Sequence, residues 1–160
     1  MEENLGLKGC LNIDVTHVDG TTEHRFIPNT VVTLGKFLAA RTIVSGAYAA
    51  PDQIGWMAIG TGSSDIAAAD TTLGTEYMRE GPETGATGSV TGSTTTTSTT
   101  NDTSRWIGSF GILDSQAINE AGLFNKSGLD LGSMFARTCF ADINVVSGDT
   151  IKGTWDVAYS

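Results

Sequence analysis

Positive charge is scarce in this chain. Nine Lys and Arg residues stand against 18 Asp and Glu, for a formal net charge of −9 at pH 7. Nucleic-acid binding without sequence preference needs cations that neutralise phosphates, and an anionic membrane surface needs them too. Neither partner is expected. Cysteine is nearly absent: Cys10 and Cys139 are too few and too far apart to build a zinc site, and reduced thiols are expected. Long apolar runs are missing as well, and no stretch approaches the ~20 residues of a membrane span. Met1-Glu2-Glu3-Asn4 is acidic and no apolar segment follows it, unlike a secretory leader. The expected place of synthesis and assembly is the cytoplasm.

What is abundant is glycine, with 20 residues, together with threonine. Many turns and many β-branched positions are the profile of an all-β domain, and 160 residues suit a single one. Leu7, Gly9, Leu11, Ile13 and Val15 alternate with Lys8, Cys10, Asn12 and Asp14, which predicts a half-buried strand. Asp19-Gly20 supplies a tight turn and Thr21 to Ile27 the returning strand, so 7–27 is expected as an N-terminal hairpin ended by Pro28-Asn29.

The period then changes. Leu34, Phe37, Leu38 and Val44, with Arg41 beside them, form a helical stripe, with Thr33 as N-cap and Gly46 as C′ stop. One short helix over about 33–45 is predicted, and Gly35 makes it dependent on packing against a sheet. Ile54 to Gly60 is a buried strand, Thr61 to Asp65 a polar turn, Ile66 to Leu73 a loop with one helical turn, and Glu76 to Arg79 another strand. Residues 81–101 form a Thr/Gly-rich exposed segment: composition alone allows disorder, while its uncharged threonines fit a pleated, solvent-facing strand, the preferred reading. Trp106–Leu113, Ile118–Asn125, Ser133–Ile143 and Ile151–Tyr159 complete the strands. In the third of these, Met134, Ala136 and Phe140 are read on one face and Phe135, Cys139, Ala141 and Ile143 on the other. The fold class is mainly β: a single-domain antiparallel β-sandwich-like fold with one short helix.

No catalytic constellation is found, no metal site, and no cofactor is expected. His17 and His24 flank the hairpin turn as surface residues, and a metal would need further ligands. Gly60-Thr61-Gly62-Ser63-Ser64 resembles a phosphate cradle but lacks the Gly-Lys-Ser/Thr ending of a P-loop. Asp65, Asp70 and Glu76 do not have EF-hand spacing and read as a solvated acidic loop. Glu120 has no partner base or acid and reads as a hydrogen-bonded structural residue.

Three segments resemble a known group. They are Met57-Ala58-Ile59-Gly60-Thr61-Gly62 with Asp70-Thr71-Thr72-Leu73-Gly74-Thr75-Glu76 and Arg79; then Ile118-Asn119-Glu120-Ala121-Gly122-Leu123-Phe124-Asn125; then Ala136-Arg137 with Asn144 to Val157. Their order resembles small virion structural proteins of tailed bacteriophages and is similar to the attachment domain of phage tail-collar fibre proteins. The resemblance spans the chain from about Leu34 onward. It implies a β-sandwich-like fold and homo-oligomeric, often trimeric, placement on a particle. No fibre repeat follows Val157, which turns the expectation toward a free-standing accessory protein.

The expected function is therefore structural and not enzymatic: capsid decoration (cement), with a neck or tail fibre-anchoring module as the second placement. The expected partners are its own copies and phage capsid, neck or tail proteins, and the expected location is the virion. Trp56, Trp106, Leu123, Phe124, Phe140 and Trp155 are the residues expected in the core or at subunit contacts. Gly122 is expected to allow close backbone approach or a bulge, and Leu123 and Phe124 to point into opposite layers. The rival from another class is a carbohydrate- or receptor-binding β module using Tyr48 or Trp106.

Overall fold

The computed structural model describes residues 6–45, 53–62, 65–82, 88–100 and 102–159. Among the described residues, nine strands and one helix follow in chain order: β1 (Leu7–Thr16), β2 (Thr22–Val31), α1 (Thr33–Ser45), β3 (Trp56–Gly60), β4 (Glu76–Glu80), β5 (Gly88–Thr95), β6 (Thr103–Gly111), β7 (Gln116–Phe124), β8 (Met134–Val145) and β9 (Thr150–Tyr159). They form one sheet in the order β4-β3-β7-β8-β2-β1-β9-β6-β5, with every pairing antiparallel. The sheet curls until its ends approach, where the Val90 N–H donates to the Gly81 carbonyl at 2.7 Å. The mainly-β, single-domain expectation holds. Its two layers belong to one nearly closed, barrel-like sheet.

β2 makes the curl. Its first part pairs with β1 from Thr22 to Asn29, and only Thr30 and Val31 reach β8. Pro28 and Asn29, expected to end the hairpin, lie inside the strand. The Pro28 carbonyl accepts the Thr138 hydroxyl at 2.9 Å, so the polar groups of this residue face β8. A missing N–H on that side costs no bond to β1. The Asp19-Gly20 turn is as expected, with Gly20 at φ 86°.

The core fills the space between the two halves. Leu11, Ile13, Phe110, Ile151 and Trp155 come from the β6-β9-β1 side, and Met57, Ile59, Ile118, Ala121, Leu123 and Ile143 from the β3-β7-β8 side. Each Leu, Ile, Met or Phe among them contributes about 1.5–3 kcal/mol by leaving water. A second cluster, Val32, Ala58, Leu73, Phe124 and Met134, lies on the outer face of β3-β7-β8.

α1 packs on β8 through Gly35, where a Cβ would overlap the Phe135 carbonyl oxygen and stand 2.8 Å from its carbon. The stripe is narrower than expected, since Leu38 is buried and Phe37 is 56% exposed. The first helical bond runs from Lys36 N–H to the Val32 carbonyl at 3.1 Å, which moves the cap from Thr33 to Val32. The Thr33 N–H is satisfied by the Ala68 carbonyl at 2.8 Å. Gly46 lies outside the described residues, as do Met1 to Leu5.

Other expectations change. Residues 66–73 contain a turn closed by Asp70 N–H on the Ala67 carbonyl, and no helical turn. Two irregularities in the β7/β8 ladder break the simple alternation read for β8. Phe135 is the extra residue between Met134 and Ala136, so Met134 joins the outer cluster while Phe135 and Ala136 join the core. Cys139 stands opposite Glu120, whereas Ile143 lies in the core. The threonine-rich stretch forms β5 on the sheet edge, followed by a turn over 97–100. Asp102 fixes that turn by accepting the N–H groups of Thr97, Ser98 and Thr99 at 2.7–2.8 Å. Those three bonds pull its carboxyl far below the usual carboxylate range.

Candidate functional site

The densest polar chemistry sits under the loop joining β3 to β4. Glu120, on β7, is fully buried. Its Oε1 accepts the N–H groups of Gly62 and Thr75, both at 2.8 Å. Its Oε2 accepts the Gly74 N–H at 2.9 Å and Arg137 Nη2 at 2.8 Å. Glycine at 60 and 62 is required for this. A Cβ on Gly60 would lie 2.8 Å from Oε1, and one on Gly62 would overlap that oxygen. The phosphate-cradle look of Gly60-Thr61-Gly62 thus has a physical basis: backbone N–H groups there do bind an anion, and the anion is the protein's own Glu120. Ser63 and Ser64 lie outside the described residues.

Arg137, on β8, is 2% exposed and bridges two carboxylates. Its Nη1 donates to Asp70 Oδ2 at 2.7 Å while Nη2 holds Glu120. Burial opposes its charge, but the bonds to Asp70 and Glu120 outweigh burial and hold its pKa above the ordinary value. Burial likewise raises Asp70, and the Ala67 N–H with Arg137 brings it below the usual range. Asp70, Arg137 and Glu120 therefore run from loop to sheet as one ion-paired chain.

A second buried pair lies beside it. Arg79 and Glu76 on β4 form a two-pronged bridge, Nε to Oε1 at 2.7 Å and Nη2 to Oε2 at 2.6 Å, with side chains 1% and 0% exposed. Arg79 Nη1 also donates to the carbonyls of Lys126 and Leu131, at 2.8 and 2.7 Å. Its guanidinium lies 3.7 Å from the centre of the Phe124 ring. This assembly secures the loop between β7 and β8. Gly122 leaves room for side chains and not for another backbone: a Cβ there would meet the Phe124 ring at 2.8 Å and Leu73 at 3.1 Å.

A third anchor ties two turns. Asp149 is buried and accepts Val18 N–H at 2.9 Å, Val146 N–H at 3.0 Å and His17 Nδ1 at 2.8 Å. Since a carboxylate only accepts, Nδ1 carries the hydrogen. Burial pushes the Asp149 carboxyl up, and the bonds from Val146, His17 and Val18 more than reverse it.

The sequence candidates now have places. His17 and His24 do not meet as a pair, because each is bound to its own carboxylate, Asp149 and Asp14. Asp65, Asp70 and Glu76 do not converge: Asp70 holds Arg137, Glu76 holds Arg79, and Asp65 is exposed. No three His, Cys, Asp or Glu side chains gather as metal ligands among the described residues. Burial raises the pKa of both Cys10 and Cys139, which lowers their thiolate fraction.

Trp155, Leu123 and Phe124 are fully buried. Leu123 enters the core and Phe124 the outer cluster, the opposite faces expected of them. Trp106 is 9% exposed, donates to the Ile54 carbonyl at 2.8 Å and tilts against Phe135. Trp56 and Phe140 are half-buried against the outer and inner clusters.

The sequence places Arg137 in the resemblance and Asp149 in the turn that launches the last strand, but names no bonding partner for either. A buried Arg needs a carboxylate partner, but which of 18 acidic residues it meets depends on register.

With four accepted bonds, Glu120 uses about all the acceptor capacity of a carboxylate. The arrangement immobilises backbone and offers no position for a substrate proton. The chain matches no protein-family model, no curated protein and no solved structure.

Proposed function

We propose that this chain is a structural accessory protein of a tailed-bacteriophage virion, acting through protein–protein contacts and without a reactive centre. Capsid decoration is the first placement, and a neck or tail fibre-anchoring module the second. The single observation that carries this reading is the fate of the motif residues. Gly60, Gly62, Asp70, Glu76, Arg79, Glu120, Gly122, Phe124 and Arg137 carry the resemblance to virion proteins. All of them are spent inside the fold: Gly60, Gly62, Asp70, Glu120 and Arg137 hold Gly62 and residues 67–75 to the sheet, Glu76, Arg79 and Phe124 hold 126–131, and Gly122 leaves room for Phe124 and Leu73. A motif used this way specifies a rigid surface, which is what a protein acting by shape requires.

The glycan-binding rival has less support. Trp106, its aromatic candidate, is committed to the core, and Tyr48 lies outside the described residues.

Quantitative mass spectrometry of density-purified particles of the encoding phage tests the proposal. A fixed ratio to the major capsid protein is expected, high for decoration and low for a neck or tail placement. Absence from purified particles overturns it.

A further inference from the structure

Three turns meet at one end of the sheet, and each presents an aliphatic side chain to water. Val18 is 65% exposed, Leu113 64% and Val146 46%. Asp149 assembles them. One of its carboxylate oxygens accepts the Val18 N–H and the other the Val146 N–H. Its own carbonyl accepts the N–H of Ile112, next to Leu113, at 2.9 Å, and the Gly148 N–H returns to the Ile112 carbonyl at 2.9 Å. Val18 also lies against the 147–149 turn, with its Cγ1 2.8 Å from where a Cβ on Gly148 would stand. The Leu113 N–H is held by the Tyr77 hydroxyl at 3.4 Å, which in turn donates to Asp114 at 2.5 Å.

A fixed apolar cluster on otherwise polar turns costs solubility and contributes nothing to the core. The ionised side chains on the three turns have one sign. Asp19 and Asp114 flank the cluster, and both carboxyls sit below the usual range, Asp19 through bonds from the Thr21 hydroxyl and N–H, Asp114 through bonds from Tyr77 and Gln116. The segments 17–21, 112–116 and 146–149 contain no Lys or Arg, and His17, their one basic side chain, is bound to Asp149.

We propose that Val18, Leu113 and Val146 form the centre of a docking surface for a protein partner with an apolar centre and a Lys/Arg rim. The acidic rim and the net charge of −9 set two copies of this chain against each other, which leaves a basic partner as the complementary occupant. The proposal rests on the reading of the chain as a contact protein.

The test uses particles of the encoding phage grown without this chain, to which the purified protein is added back. Leu113→Asp is expected to reduce bound copies at least tenfold, with Val18→Asp as an independent second variant. Phe37→Asp, the same change at an exposed position on α1, is expected to bind as the unaltered protein does. Binding should weaken as salt is raised, since the rim charges are exposed. Equal binding by Leu113→Asp and Val18→Asp overturns the docking surface alone. So does a solution dimer that both variants abolish, which assigns the cluster to a second copy. No binding by the unaltered protein overturns the functional reading, and this surface with it.

Discussion

Gly62 and Glu120 fit each other as lock and bolt: the Gly62 N–H donates to Oε1 at 2.8 Å, and that oxygen occupies the space a Gly62 side chain would need. Either residue changed alone breaks the same anchor. Glu120→Gln removes one of the two carboxylates that hold Arg137 and leaves Asp70 as the other, so the loss is expected below the about 3–5 kcal/mol of a buried charge left with no partner. Gly62→Ala forces the loop off the carboxylate at about 1–3 kcal/mol. Urea denaturation should show both losses, and the double variant should lose less than their sum because one site is lost twice.

Gly35→Ala separates helix propensity from packing. In an open helix this change gains up to about 1 kcal/mol. Here the added Cβ meets the Phe135 backbone, which cannot move without disturbing β8. The expected sign is the reverse, a loss of about 1–3 kcal/mol, read from thermal or urea melts.

Arg79→Lys keeps the charge but not the fork. A single ammonium cannot hold both Glu76 oxygens and two carbonyls while standing over the Phe124 ring. Each charged hydrogen bond not remade costs about 1.5–3 kcal/mol. Limited proteolysis is expected to open first between Lys126 and Ser133, and to spare that segment in the unaltered protein.

Acid should destabilise the fold from one side. Asp70 and Asp149 sit below the usual carboxylate range in the folded chain, so the unfolded chain binds protons first as pH falls. Their contribution is fully present above the unfolded value of about 3.9 and is lost as pH drops through the lower folded values. Melting temperature is expected to be level from neutral pH to about 5 and to fall below about 4. Asp149→Asn should flatten part of that fall.

Local pattern made much of the fold legible. Alternation from Leu7 to Val15, the Asp19-Gly20 turn and the run from Ile151 to Tyr159 each state which face is buried, and the structure agrees. The pattern misleads where tertiary pairing overrides it. Pro28 looks like a stop, but β2 borders β8 only at its far end, so a strand carries it at no cost. In β8 the extra residue at Phe135 shifts the faces, and nothing in a single strand's alternation announces that. The site was legible in half: Glu120 as a bonded structural residue and Leu123 and Phe124 as a two-faced pair were readable. Their partners Arg137, Gly62 and Gly74 come from segments joined only by folding.

Amide hydrogen exchange at Gly62, Gly74 and Thr75 tests the central claim most directly. These amides lie in a surface loop but end on the buried Glu120 carboxylate. The anchored loop predicts exchange as slow as in the neighbouring strands β3 and β7, and fast in Glu120→Gln. Exchange at the rate of an open loop in the unaltered protein would contradict it.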